Sequence, residues 1–436
     1  MVAAPPPASL FAAARKRLLK KLPHGAVVIV HANDIYPTNA DGTMAFHQNS
    51  DLFYLSGVDQ EETILMLYPD APEAKHREML FLRETNEHIA VWEGEKLTRE
   101  EAVERTGIEK ESIHWLDKFE GFSRTIMCRA THVFLNTNEH ARATVEVETR
   151  GVRFIRRCQR DFPLHRYERL APLMQDLRVL KTDDELKLVK DAIGITEAAF
   201  RRVLGFVRPG VGEFEIEAEI IHEFTRRQAS HAFQPIIGSG KNACVLHYIT
   251  NRCQCRDGEL VLMDFGARHA NYNADLTRTV PVNGRFTKRQ REVYDAVLRV
   301  QRAARKMLKP GVLLKPYQDE VGLHMQEELL KLKLITKKDM KDALEKDPEK
   351  PAFKKYFPHG TSHHLGLDVH DVGDTWRKLE PGMVLTIEPG IYIREENLGV
   401  RLENDVLITK KGTVDLMADI PIEAEEIEEL MAEGNK

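Results

Sequence analysis

Short apolar runs rich in β-branched residues alternate with amphipathic segments over roughly the first 175 residues. Four of the runs predict β-strands: AVVIVHA from Ala26, TILMLYP from Thr63, EMLFLRE from Glu78 and THVFLNT from Thr131. Two other segments predict mostly helical structure: TREEAVERTG from Thr98 and ARATVEVETRGVRFIRRCQR from Ala141. This alternation predicts a small α/β domain.

The segment SLFAAARKRLLKKL, from Ser9, is basic and amphipathic, and its apolar face comprises Leu10, Phe11, Ala14, Leu18 and Leu22. One interpretation is an organelle-targeting or membrane-surface helix. The other is a first helix that docks on its own domain. Because a strand-like run follows immediately, the pattern favours docking.

The pattern changes near residue 180. Thr182, with Glu185 three positions later, forms a capping-box signature, and apolar residues at helical spacing follow it. We therefore expect a domain boundary between residues 175 and 181, with domains at 1–177 and 178–436. A second helix is predicted from Glu213. The charged stretch 331–355 is predicted to be an exposed helix and loop, and the acidic tail a surface helix.

The length, charge and cysteine content of the chain exclude several classes of function. At 436 residues the chain is long enough for two domains, and its formal charge of -5 gives no overall attraction to nucleic acid. No apolar run approaches the ~20 residues that span a bilayer. The five cysteines, without a secretory signal, indicate reduced thiols in a soluble cytoplasmic protein; a zinc site at CQC is the weaker alternative. Neither a nucleic-acid nor a membrane partner is expected.

Carboxylates lie inside apolar strand patterns. Two similar nine-residue stretches, GELVLMDFG and GMVLTIEPG, place Asp264 and Glu388 directly after four apolar or β-forming residues. Asp275 begins the β-rich run DLTRTVPV, and Glu403 shares a predicted strand face with Arg401. A buried carboxylate is costly unless it is paired or binds a cation. Each acid alone could be a helix cap, a turn residue or half of an ion pair.

As a set, four acids with one histidine predict a two-metal site. Hard oxygen ligands with a single imidazole suit Mn, Fe or Co better than a structural zinc site. The histidine comes from HGTSHHLGLDVHD, residues 359–371. The zinc-helix motif does not apply to this stretch, because Gly360 stands where that motif requires glutamate.

Four segments together resemble the pita-bread metallopeptidases, the family of aminopeptidase P, prolidase and methionine aminopeptidase: MDFGARHANYNADLTRTVPVNGRFT, HGTSHHLGLDVHD, LEPGMVLTIEPGIYI and GVRLENDVLIT. The resemblance implies an α/β (α+β) chain, with an N-terminal α/β domain followed by a pita-bread catalytic domain of pseudo-two-fold symmetry. It also implies two divalent cations, Mn²⁺ first, with Co²⁺, Fe²⁺ or Zn²⁺ as alternatives.

The resemblance also assigns roles to individual residues. It implies five metal ligands: Asp264, Asp275, His363, Glu388 and Glu403, the second and the last bridging both ions. It places His359, His370 and His247 beside the substrate, and it gives no role to His364, for which we expect a core position. The implied reaction is hydrolysis by a hydroxide bridging the metals, with Glu388 carrying the proton and Arg401 orienting Glu403.

The first 175 residues distinguish the proline-specific members, because methionine aminopeptidases usually lack such a domain. FHQNSDLFYLSGVDQEE, from Phe46, resembles the N-terminal signature of aminopeptidase P, and VWEGEKL resembles a segment whose tryptophan, here Trp92, can approach a neighbouring subunit's site. We therefore expect a Xaa-Pro aminopeptidase acting on peptides with proline second, as a homodimer or homotetramer. The alternatives are a Xaa-Pro dipeptidase and a non-catalytic pita-bread binding module.

Overall fold

A computed structural model describes residues 5–140, 142–143 and 146–434. The chain divides into two compact units, one ending at Arg178 and the other beginning at Val179. None of the helices in these described ranges combines the length and apolar character that a membrane span requires.

The first unit contains a six-stranded sheet. Its strands are β1 (Ala26–His31), β2 (Ile64–Leu67), β3 (Glu78–Leu82), β4 (Ile113–Trp115), β5 (His132–Leu135) and β6 (Arg166–Arg169). They lie in the order β4-β3-β2-β1-β5-β6. The pairs β1/β2 and β2/β3 are antiparallel, and the other three are parallel. The four predicted strands are thereby confirmed as β1, β2, β3 and β5.

The described residues of this unit form seven α-helices: α1 (Ala8–Leu19), α2 (Ser50–Ser56), α3 (Glu87–Trp92), α4 (Arg99–Thr106), α5 (Phe119–Met127), α6 (Arg150–Asp161) and α7 (Ala171–Arg178). The basic helix α1 packs against α2, α4 and α7. Its apolar face, including Phe11 and Leu18, is buried. The predicted docking of this helix on its own domain is confirmed.

The segment from Ala141, predicted to be mostly helical, forms α6, which begins at Arg150. Thr149 is extended, and its side chain accepts a hydrogen bond from the backbone N–H of Val152, so it caps the helix. The described residues between 142 and 148 are not helical. Residues 141, 144 and 145 lie outside the described ranges.

Within the described part of the second unit there are six α-helices: α8 (Asp183–Leu204), α9 (Glu213–Arg226), α10 (Lys288–Met307), α11 (Leu314–Lys331), α12 (Lys337–Lys346) and α13 (Ala424–Gly434). The predicted capping box of α8 is present, because Thr182 and Glu185 exchange both hydrogen bonds. Helix α12 has no buried residue, as expected for the charged stretch. The acidic tail forms α13, whose inner face packs on α8 and α10.

The strands of the second unit form small sheets. They are β7 (Ser230–His231), β8 (Ile236–Ser239), β9 (Leu260–Phe265), β10 (Ala267–His269), β11 (Tyr272–Asn273), β12 (Leu276–Pro281), β13 (Val384–Ile387), β14 (Gly390–Ile393), β15 (Leu398–Arg401), β16 (Asn404–Thr409) and β17 (Gly412–Asp415). The orders are β12-β9-β8, β11-β10-β7, β13-β16-β17 and β14-β15. The two similar sequence stretches supply β9 and β13.

Backbone pairing joins these sheets where the unusual acids lie. Thr277 of β12 pairs with Glu403, whose N–H donates to the Thr277 oxygen at 3.1 Å. The segment from His363 runs along β13, because Thr386 N donates to His363 O at 2.9 Å and Leu365 N donates to Val384 O at 3.1 Å. The ends of β9, β12, β13 and β15 therefore meet beside the histidine stretch.

Candidate metal centre and active site

Four carboxylates come from the ends of these strands. Asp264 is the fifth residue of β9, Asp275 immediately precedes β12, Glu388 immediately follows β13, and Glu403 lies between β15 and β16. Asp275, His363 and Glu403 are all buried and offer ligand atoms within 4.8 Å of one another. The site predicted from scattered strand ends thus has three of its five members in one tight group.

His363 presents a defined ring nitrogen to the carboxylates. Its Nδ1 lies 3.0 Å from the backbone oxygen of His364, and since a carbonyl only accepts, Nδ1 carries the proton. In the neutral ring Nε2 then keeps a free lone pair. This atom is 3.5 Å from Asp275 Oδ2 and 3.7 Å from Glu388 Oε1. A metal-binding histidine needs this arrangement, with one nitrogen donating to a carbonyl and the other free.

Burial makes the acidic cluster costly without cations. Asp264, Asp275 and Glu403 are 8%, 5% and 2% exposed. Burial raises the pKa of Asp275 well above its ordinary value, and the charge of Asp264 adds to this effect. Burial and the charge of Asp275 likewise raise the pKa of Glu403. Among the described residues Asp264 Oδ1 is buried without a hydrogen-bond partner. The donor set therefore fits divalent cations.

Arg401 contacts Asp264 rather than Glu403 by hydrogen bonding. Its Nη2 donates to Asp264 Oδ2 at 2.5 Å and its Nε to Thr277 Oγ1 at 3.1 Å. The Thr277 hydroxyl in turn donates to Glu403 Oε2 at 2.6 Å. The pairing of Arg401 with Glu403 expected from a shared strand face is thus indirect, because the strand is interrupted between these residues. Thr277 supplies the connection.

Comparison with known proteins identifies the family. A model described as metallopeptidase family M24 matches residues 187–410, which include all five of these candidate ligands. The chain belongs to metallopeptidase family M24. A model of the aminopeptidase P N-terminal domain matches residues 11–134. The family resemblance and the predicted α/β pita-bread fold class are confirmed.

This M24 chain is similar to its relatives over nearly its whole length. It is 34% identical to the Xaa-Pro aminopeptidase of Escherichia coli, covering 97% of each chain, and 32% identical to human Xaa-Pro aminopeptidase 3, covering 94% of this chain and 81% of that one. Its fold matches the structure of zinc-substituted E. coli aminopeptidase P in complex with product, with a TM-score of 0.87 at 31% identity over 100% of each chain.

A chain of hydrogen bonds leads from Arg401 to His359 in this M24 site. Burial, followed by the charge of Arg401, lowers the pKa of His359 to about 3, so the ring is neutral at pH 7. Its Nδ1 lies 2.7 Å from Gly360 O and carries the proton. Its Nε2 must then accept, and the Tyr392 hydroxyl donates to it at 2.8 Å. That hydroxyl accepts from Arg401 Nη1 at 2.9 Å.

The other histidines of the M24 chain occupy different positions. His370 is exposed, and its ring centroid lies 4.4 Å from that of His363 in an edge-to-face arrangement. His247 is exposed on the segment between Cys244 and Asn251. His364 is 5% exposed, and burial lowers its pKa to about 4. The expected core position of His364 is confirmed.

Several residues around the M24 site were not singled out from the sequence. Tyr392 and Thr277 connect Arg401 to its neighbours, as described above. Asp405 is fully buried, and its Oδ2 accepts from the backbone N–H of Asp275 at 3.1 Å. Arg278 is fully buried in β12 and donates to Glu403 O at 2.7 Å. For Tyr392 and Asp405 a polar residue within an apolar strand pattern was the available signal, whereas the pattern of β12 gave no signal for Arg278.

Proposed function

We propose that the protein is a metal-dependent Xaa-Pro aminopeptidase, which removes the N-terminal residue of a peptide whose second residue is proline. The observation that carries the proposal is the buried group of Asp275, His363 and Glu403, whose ligand atoms lie within 4.8 Å of one another. Similarity over the full chain to proteins named Xaa-Pro aminopeptidase supports the proline specificity.

The five residues that would hold two divalent ions are Asp264, Asp275, His363, Glu388 and Glu403. When bound, such ions supply Lewis acidity that polarises the scissile carbonyl and lowers the pKa of the attacking water toward neutrality. The single imidazole among oxygen ligands favours Mn²⁺ over a thiolate-rich zinc site. The tautomer of His363 leaves Nε2 free for this role.

Glu388 and His359 are the side chains that we assign to proton transfer. Glu388 Oε2 is 3.5 Å from His359 Nδ1, and its side chain is 21% exposed, the most accessible of the four carboxylates. Glu388 accepts the proton of the attacking water and returns it to the leaving nitrogen. His359 is held in one tautomer by Gly360 and Tyr392: its Nδ1–H donates to Gly360 O, and its Nε2 accepts from the Tyr392 hydroxyl. His370 and His247 contact the peptide from the exposed side.

The test is hydrolysis of Ala-Pro-Ala and of Ala-Pro by the purified protein. We expect cleavage of the tripeptide after loading with Mn²⁺, loss of cleavage after chelation, and recovery when Mn²⁺ is restored. Chromatographic separation of alanine and Pro-Ala measures the product. Parallel reactions with Co²⁺, Fe²⁺ and Zn²⁺ rank the metals.

Two outcomes of this experiment would change the proposal. Cleavage of Ala-Pro alone would move the assignment to a Xaa-Pro dipeptidase. Absence of cleavage by protein shown to contain metal would favour a non-catalytic binding module. Ala-Ala-Ala serves as the control peptide, because an enzyme that recognises a second-position proline should leave it intact.

The Tyr392 hydroxyl gives a further prediction. Tyr392→Phe should lower kcat for Ala-Pro-Ala by about 10–100-fold, the usual cost of losing a supporting hydrogen bond beside a metal site, with a smaller change in KM. The reason is that His359 Nε2 loses its donor and Arg401 Nη1 loses its acceptor. Steady-state kinetics with Mn²⁺ measures the effect.

The matched control is Tyr294→Phe. Tyr294 is also fully buried, but its hydroxyl donates to Ile422 O, away from the acidic cluster. This variant should retain wild-type kcat even if it is somewhat less stable. Equal kinetics in the two variants would show that the bonds made by the Tyr392 hydroxyl do not assist the reaction.

We further propose a cytoplasmic homodimer or homotetramer. All five cysteines are free thiols, as in proteins of reducing compartments. Val91 and Trp92, on α3, are 80% and 76% exposed, which is typical of an apolar surface covered in an assembly. The predicted approach of Trp92 to a neighbouring active site belongs to this proposal.

A further inference from the structure

A fully buried carboxylate outside the metal centre anchors the segment that carries His247. Glu213 is the first residue of α9 and has no exposed surface. Five donors surround it, and all five are neutral: two backbone N–H groups, two hydroxyls and one amide. They belong to Ser239, Asn242, Tyr248 and Cys253. The Glu213 side chain therefore ties four residues of the 239–253 segment together.

The bonds divide between the two carboxylate oxygens. Oε1 accepts from Ser239 N at 2.8 Å, Ser239 Oγ at 2.7 Å and Asn242 Nδ2 at 3.0 Å. Oε2 accepts from Tyr248 OH at 2.8 Å and Cys253 N at 2.9 Å. Hydrogen bonds to an ionised acceptor are roughly twice as strong as neutral ones, so the carboxylate is a strong anchor. It fixes the segment on both sides of His247.

The neighbours of His247 connect this anchor to the active site. Leu246 and Tyr248 pack into an apolar cluster that includes Tyr392, the residue bonded to His359. His247 lies between them and is exposed, and the described part of the chain offers its ring no hydrogen bond. The position of His247 therefore depends on its anchored neighbours rather than on contacts of its own.

We propose that Glu213 is a positioning residue for His247, holding the 239–253 segment so that this histidine faces the substrate. The proposal rests on the proposed peptidase function for its kinetic consequence. Glu213 itself does not touch the substrate. Its effect is transmitted through Ser239 and Asn242, which precede His247 in the chain, and through Tyr248 and Cys253, which follow it.

The decisive variant is Glu213→Gln. Glutamine has the same shape, but its amide nitrogen must face either Ser239 N–H or Cys253 N–H, both of which only donate. One side of the anchor is therefore lost in either orientation. We expect kcat/KM for Ala-Pro-Ala to fall by about 10–100-fold, because small displacements of a substrate-side group are costly.

Glu217→Gln is the matched control, one helical turn further along α9. Glu217 accepts a hydrogen bond from Asn251 Nδ2 at 3.0 Å, and the oxygen of a glutamine can accept the same bond. This variant should keep wild-type kcat/KM. If it loses as much activity as Glu213→Gln, the loss reflects general damage to α9, and the proposal is wrong.

A double variant separates positioning from a structural role. In a His247→Ala background, Glu213→Gln should cause little further loss, since the residue it positions is gone. A purely structural role would lower kcat/KM by the same factor in both backgrounds and would also reduce the bound metal. If the two substitutions lower kcat/KM by factors that multiply in the double variant, the proposal is wrong.

Amide hydrogen exchange tests the anchor without reference to activity. In Glu213→Gln the backbone amides of Ser239 and Cys253 should exchange faster than in the wild type, while those of β9 and β12 keep their protection. Unchanged exchange in 239–253 would overturn the anchoring role whatever the kinetics. A wild-type protein that cleaves no Xaa-Pro peptide would instead contradict the proposed function.

Discussion

Asp275→Asn should abolish hydrolysis of Ala-Pro-Ala, with a loss greater than the ~100-fold that is typical when only a supporting residue of a metal site is changed. An amide oxygen is a poorer ligand than a carboxylate, and Asp275 lies in the tight group with His363 and Glu403. We expect the metal content per chain, measured by elemental analysis after loading and gel filtration, to fall together with activity.

Metal-free Asp275→Asn should nevertheless be at least as stable as the metal-free wild type. Burial and the charge of Asp264 raise the pKa of Asp275, so its ionised form opposes folding when no cation is bound. The amide removes that cost. Thermal denaturation with and without Mn²⁺ should show a metal-induced increase in Tm for the wild type that is absent in the variant.

Asp257→Asn provides the control for both measurements. Asp257 is exposed and accepts a hydrogen bond from Asn283, in the same unit but outside the acidic cluster. It should retain metal content, activity and the metal-induced increase in Tm. If Asp275→Asn bound metal and cleaved peptide as well as this control, Asp275 would not be a ligand.

Of the variants proposed for this protein, Arg278→Met should cause the largest loss of unfolding free energy. The Arg278 side chain is fully buried and donates to Pro421 O, Thr277 O, Glu403 O and Asn404 Oδ1 at 2.7 to 3.0 Å. Methionine fills similar space but leaves Pro421 O, Glu403 O and Asn404 Oδ1 without this donor, whereas Thr277 O still accepts from Glu403 N–H. At about 1–3 kcal/mol for each buried group left unsatisfied, we expect a total loss of about 3–5 kcal/mol. In a domain of this size the loss corresponds to a fall in Tm of about 10 °C, measurable by calorimetry.

Arg285→Met is the corresponding surface substitution. Arg285 is 73% exposed in its side chain and pairs with Glu428 at 2.9 Å. An exposed pair contributes about 1 kcal/mol or less, so the Tm of this variant should remain close to that of the wild type. A similar Tm for both variants would mean that the four bonds of Arg278 contribute no net stability.

The acidic cluster could be predicted because a charged residue inside an apolar strand is visible in the sequence. Asp264 and Glu388 interrupt runs of apolar residues, and burial of an unpaired charge is too costly to occur without a partner. The alternation of strand and helix patterns predicted the N-terminal α/β domain, whereas the pita-bread fold of the second domain was implied by the family resemblance. The close approach of the acidic cluster to His363 could be expected only from the family resemblance, because proximity in three dimensions leaves no local signal in the sequence.

Arg278 and Glu213 could not be predicted, for a related reason. Every strand position of β12 is buried, so the usual alternation of inward and outward residues gives no indication that Arg278 is inside. Its partner Pro421 lies 143 residues further along the chain. Glu213 begins an amphipathic helix rich in glutamate, where an acid at the first turn is ordinarily a solvated residue that favours the helix dipole.

The segment from Ala141, predicted to be mostly helical, forms a helix over Arg150–Asp161. The helix begins at Arg150 because Thr149 has an extended backbone and its side chain caps the first turn. Helix ends are thus determined by the cap, and apolar spacing alone does not identify it.

The pairing of Thr277 with Glu403 has a consequence for protein synthesis. These residues are separated by 126 positions along the sequence. The ribosome therefore releases both Asp264 and Asp275 long before Glu388 and Glu403 exist. Because contacts of such long range form late, a nascent chain without Glu403 holds an incomplete set of the proposed ligands. On the proposed assignment, metal acquisition follows translation of Glu403, and termination anywhere before that residue yields a protein that cannot assemble the site.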